Sequence, residues 1–162
     1  MHLHPASLLL TAAVLLPNLL LLPLPPRHAE KYGRSRDPLA LTIIERMGQV
    51  SCFILPVFFP LSFAGAWTLA GWILMAASLG FYYAGWARFL AGDRDYALLF
   101  APMLGLPVPM AISPVIYFLS ASLVLGSVYQ AIGAALLGVG HIAISIHERR
   151  RIKARVAAGG SG

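Results

Sequence analysis

The chain has 162 residues, of which 59% are hydrophobic and only 11% charged, and its formal charge is +6. A soluble domain carries about 25% charged residues, so an ordinary globular domain is excluded, and the mean hydropathy of +0.77 points to a bilayer. The 12 Lys and Arg residues fall between apolar stretches and are not interleaved with exposed aromatics. That pattern argues against nucleic acid as a partner and for anionic lipid headgroups. The expected fold class is therefore all-α: a polytopic transmembrane helix bundle in one membrane domain, residues 1–156, followed by a flexible tail, 157–162.

The opening stretch MHLHPASLLLTAAVLLPNLLLLPLPP has no Lys or Arg before its apolar run and no small-x-small cleavage site after it. It reads as a retained first span, about 6–24, rather than a signal peptide. A spanning helix needs roughly 20 mostly apolar residues. Asp37 and Pro38 supply a cap and a first-turn proline for a second span, 38–64, kinked at Pro56. A third span, 67–90, carries Trp67 and Trp72 near one end and Tyr82, Tyr83 and Trp86 near the other, as interfacial aromatic belts. The next apolar stretch, 96–126, is too long for one straight span and holds Pro102, Pro107, Pro109 and Pro114. It is expected to form a short interfacial helix or re-entrant piece, 96–106, then a break at LPVP, and so a proline-broken fourth span, 109–126. A fifth span, 128–147, ends in the basic run ERRRIKAR.

Loop charges give the orientation. The first loop holds Arg27, Lys31, Arg34 and Arg36, the third holds Arg88 and Arg94, and the C-terminal segment holds five cations, while the N-terminal segment, the second loop and the fourth have none. Alternation of this kind predicts five spans, N-terminus out and C-terminus in; the expected location is a bacterial cytoplasmic membrane. Loss of the first span would leave the rest oriented the same way. An odd number of spans without an internal repeat argues against an inverted-repeat transporter in one chain, so alternating access would need a homo-oligomer or a membrane partner.

Ionisable groups at membrane depth are costly and call for a partner or a function. On the second span Thr42, Glu45, Gln49 and Cys52 recur at helical spacing; on the fifth Gln130, Ala134, Gly138, His141, Ser145 and Glu148 do the same. If the two stripes face each other, Glu45, Gln49, His141 and Ser145 meet in the cytoplasmic half. A carboxylate, an imidazole and an amide would suit a proton- or ligand-linked site. Equally, the stripes can be a polar zipper that fixes register, with Glu45 paired to Arg46, Arg88 or the C-terminal arginines. Asn18 sits beside Pro17, where its amide can satisfy the carbonyl that proline frees or bond to another helix. Ser113 and Tyr117, four apart and beside Pro114, can line a cavity.

Glu45, Gln49, His141, Tyr117 and Asn18 are thus the candidate ligand-binding residues, and Arg88, Arg94, Arg149 and Arg150 the candidate phosphate or headgroup contacts. The sequence has no phosphate loop, no HExxH and no Gly-x-Ser-x-Gly. The lone Cys52 excludes a disulfide within the chain, His2 and His4 are weak metal ligands, and no cofactor is expected. Three functions remain open: a bundle that binds or moves a small molecule, ion or lipid; an enzyme acting on a lipid-like substrate at the cytoplasmic interface; and an accessory subunit whose stripes only pack helices.

Overall fold

The computed structural model describes residues 2–33 and 37–159. Arg34 and Arg36 of the first loop, and residues 160–162 of the expected tail, lie outside them. The described chain is all-α. Its helices are α1 (Leu8–Asn18), α2 (Leu39–Ile54), α3 (Ala66–Ala91), α4 (Pro109–Leu125) and α5 (Val128–Gly159).

Three helical stretches are long and apolar enough to cross a membrane: Leu39–Phe58, Ala66–Ala91 and Val128–Ala158. The two other expected spans are shorter apolar helices, Pro5–Leu21 and Pro109–Leu125. At 1.5 Å per residue the 17 residues of α4 measure about 25 Å, less than the roughly 30 Å of a hydrocarbon core. Prolines set these limits. Before α4, residues 96–106 make one 3-10 turn, Tyr96–Leu99, and a tight turn closed between Met103 and Leu106, not the expected interfacial helix. The break falls at the prolines before α4, where the sequence places it, and Pro114 lies inside the helix without interrupting it. In the second stretch, α2 gives way at Leu55–Phe58 to a 3-10 turn containing Pro56. At the other extreme, α5 continues past His147 as one helix of 32 residues and takes in the first part of the expected tail.

Small residues decide how the helices pack. Gly48 of α2 faces the backbone of Leu136 and Leu137 on α5, Gly133 faces Ser51, and Gly140 faces Glu45. Partner numbers fall along one helix as they rise along the other, so α2 and α5 run antiparallel in close contact. Gly71 against Ser120 and Gly85 against Met110 join α3 and α4 in the same way. Backbones that approach this closely exchange dispersion contacts that lipid cannot match. The turn from α4 to α5 needs a left-handed residue, and Gly126, at φ 58°, supplies it.

At one end of the bundle the loops carry charge. The backbone of Arg27 pairs with the 94–96 segment, through Arg27 N–H to the Arg94 carbonyl at 2.8 Å and Tyr96 N–H to the Arg27 carbonyl at 3.0 Å. The Arg27 and Asp93 side chains form an ion pair. Glu148 is buried there between the Tyr96 hydroxyl, at 2.9 Å, and Arg151. Arg151 also donates to the carbonyls of Tyr32 and Gly33. Residues 4–7, 57–72 and 120–130 gather at the opposite end and include no Lys, Arg, Asp or Glu.

Candidate functional site

The α2–α5 contact brings two polar stripes together. Glu45 Oε1 and His141 Nδ1 are 2.6 Å apart. A carboxylate only accepts, so with Glu45 ionised the proton lies on Nδ1 and leaves Nε2 available. Gln49 stands one turn further along α2. Its amide N–H points to Glu45 Oε1 at 3.4 Å, and its carbonyl accepts from Arg46 at 3.0 Å. Glu45 is therefore held by His141, not by Arg46, Arg88 or the C-terminal arginines. No side chain separates the helices at this level, because Gly140 lies directly against Glu45.

Asn18 completes the site from α1. Pro17 has no N–H, so the Ala13 carbonyl loses its helical donor. The Tyr83 hydroxyl bonds that carbonyl at 2.8 Å. Asn18 is left to donate to its own helix, at Val14 O 2.9 Å, and across to the Tyr82 hydroxyl of α3 at 3.0 Å. Tyr82 and Trp86 are 5% and 3% exposed. They belong to the bundle interior and not to an interfacial belt, a correction to the sequence expectation. The signal that marks them is the buried α3 face, Thr68, Gly71, Met75, Ser78, Tyr82, Gly85 and Phe89, whose spacing of three and four continues through both ends.

Two adjoining cavities open among these groups. One, of about 200 Å³, is lined by Asn18, Gln49, Tyr82 and His141 with the apolar Phe53, Phe118 and Leu137. The second, of about 160 Å³, shares Asn18, Tyr82 and His141 and adds Trp86, Phe100 and Ser145. Phe100 also lines a larger vestibule of about 590 Å³ at the charged end, together with Tyr96, Glu148 and Arg151. Burial and then the hydrogen bond from its hydroxyl to Glu148 push the Tyr96 phenol up to about 12, because both favour the neutral form.

The other candidates lie elsewhere. Tyr117 is not among the lining residues: its hydroxyl donates to the Leu10 carbonyl at 3.0 Å and ties α4 to α1. Ser113 bonds back to Pro109 O at 2.7 Å within α4. Arg88 gives its guanidinium to the carbonyls of Leu98, Ala101 and Pro102 and so braces the loop before α4. Asp93 and Arg94 occupy consecutive left-handed backbone positions, φ 54° and 57°. Arg149 and Arg150 line a separate groove on α5. Among the described residues no three His, Cys, Asp or Glu side chains converge to hold a metal ion.

No family model matches this chain, and no curated protein or solved structure matches it significantly.

Proposed function

We propose that the chain is a multi-pass membrane protein that binds a small hydrogen-bonding molecule within the bilayer and helps it pass toward the charged face. The observation that carries this reading is the Glu45–His141 pair at 2.6 Å beside cavities shared with Asn18 and Tyr82. With one proton shared between carboxylate and imidazole the pair carries no net charge in the bundle, and the two amides and the phenol offer donors and acceptors to a ligand. Each cavity is smaller than the roughly 300–1,000 Å³ of a drug-sized pocket, which favours a small solute over a whole lipid.

In this proposal the chain crosses the membrane five times, with its N-terminus outside and its C-terminus in the cytoplasm. The collection of Lys and Arg at one end of the bundle supports that orientation. A short α4 can still span by thinning the bilayer locally.

Native mass spectrometry of the protein released from its membrane tests the site. A bound species is expected on the wild-type chain and is lost in Glu45→Ala and His141→Ala that keep their helix content. An identical adduct pattern in all three proteins, or bare protein throughout, overturns the proposal in favour of an accessory bundle.

A further inference from the structure

We propose that Arg149, Arg150 and Lys153 form a site for the phosphate of an anionic phospholipid headgroup, walled by Ile146 and Pro107. These residues line a groove of about 350 Å³. Residues 146, 149, 150 and 153 recur at three and four along α5, so one helix face carries three cations with nothing of opposite sign among them.

A census of acids shows that no Asp or Glu side chain lines this groove. The sequence has 6 Asp and Glu. Glu148 is taken by Tyr96 and Arg151, Glu45 by His141, and Asp93 by Arg27. Asp95 accepts from the Ala97 N–H, and Glu30 and Asp37 line the separate vestibule. None of the six lines the groove. Two further observations point to an anion. The Arg149 Nε is buried and has no hydrogen-bond partner among the described residues. Pro107 lies two residues before Pro109, the first residue of α4, so the positive end of that helix adds to the same field.

A headgroup fits better than free phosphate. The arginines offer the planar fork that matches phosphate oxygens, while Ile146 and Pro107 present an apolar wall where α5 leaves its membrane-spanning part. A phosphodiester with an apolar neck meets both demands. The groove shares no lining residue with the two cavities of the Glu45–His141 site, so the two proposals stand or fall separately.

The test is thermal unfolding of the purified full-length protein in neutral detergent, with phosphatidylglycerol, phosphatidylcholine or inorganic phosphate added. Phosphatidylglycerol is expected to raise the unfolding temperature, at least tenfold more potently than either of the others. The double variant Arg149→Gln/Lys153→Gln should weaken that response tenfold or more. Lys31→Gln, an exposed cation away from the groove, should leave it unchanged. If the double variant does not fold, Arg150→Gln is measured instead and should weaken the response severalfold. A response equal for phosphate and phosphatidylglycerol overturns the lipid assignment. Equal responses from the groove variants and the wild-type chain, or none from the wild-type chain, overturn the site.

Discussion

Gly140 of α5 lies so close to α2 that a methyl group in place of its hydrogen would fall 2.6 Å from the Cα and Cβ of Glu45. That approach allows the neighbouring His141 to reach the Glu45 carboxylate. Gly140→Ala should therefore push the helices apart, destabilise the fold by about 1–3 kcal/mol, and weaken any binding that depends on the pair. Gly80→Ala on α3, where a methyl would meet nothing within 4 Å, should be neutral or stabilise by up to about 1 kcal/mol. Denaturant unfolding of both variants in detergent measures the contrast; similar losses would contradict it.

The Glu45–His141 bond joins two helices that are long and apolar enough to cross a membrane. Such bonds couple by about 0.6 kcal/mol on average, and by up to about 1.7 kcal/mol. A short pair of ionisable groups belongs at the upper end of that range. A double-mutant cycle of Glu45→Gln and His141→Ala should return a coupling of about 1–1.7 kcal/mol. A coupling near zero would mean that the two groups meet without stabilising the α2–α5 contact.

Pro17 and Tyr83 compensate one another through the Ala13 carbonyl. Tyr83→Phe should cost about 1 kcal/mol, because the freed carbonyl then has neither the hydroxyl nor a helical donor. Pro17→Ala restores a backbone N–H at that position. In the Pro17→Ala background Tyr83→Phe should be nearly silent, and unfolding of the four proteins in the cycle checks it.

Alkaline pH should loosen the charged end through Tyr96. Its folded value, about 12, is raised above the ordinary 10.0, so the fold favours the neutral phenol. The stability this contributes is complete below pH 10 and is lost as pH rises from 10 toward about 12. The stability of the wild-type chain should therefore fall more steeply over that window than that of Tyr96→Phe, as followed by chemical unfolding at a series of pH values.

Phe100 stands between the vestibule and the inner cavity lined by Ser145. Cys52 is fully buried and the only cysteine, so Cys52→Ser makes a clean background for Ser145→Cys. A membrane-impermeant thiol reagent should label Cys at 145 from the cytoplasmic side only. Phe100→Ala should speed the labelling severalfold and Phe100→Trp should slow it. Labelling from the other face would contradict both the route and the proposed orientation.

Much of the candidate site's geometry was legible in the sequence. Glu45, Gln49 and His141 stand out because ionisable and amide groups are rare in apolar helices, and their spacing places them on one face. Tyr82 was not legible as a site residue, because a tyrosine near a helix end has the same local signature in an aromatic belt as in a buried network. Tyr117 was misleading for the opposite reason: its spacing from Ser113 suggests a cavity, while its hydroxyl closes on a backbone carbonyl of another helix. The helix expected over 96–106 failed because Arg88 satisfies the carbonyls of that segment from outside, so it needs no helix of its own.

The sequence by itself determined that this chain has membrane-grade apolar helices, where prolines limit them, which stretches between them carry charge, and which polar residues share a helix face. Hydropathy, chain stiffness and helical periodicity act over a few turns and are local. Only the tertiary structure decided which faces meet. The rotation of one helix against another depends on where glycines let backbones touch. Gly48, Gly133 and Gly140 therefore fix the partner of Glu45, while the carbonyl left by Pro17 is claimed by Tyr83, 70 residues away in the chain.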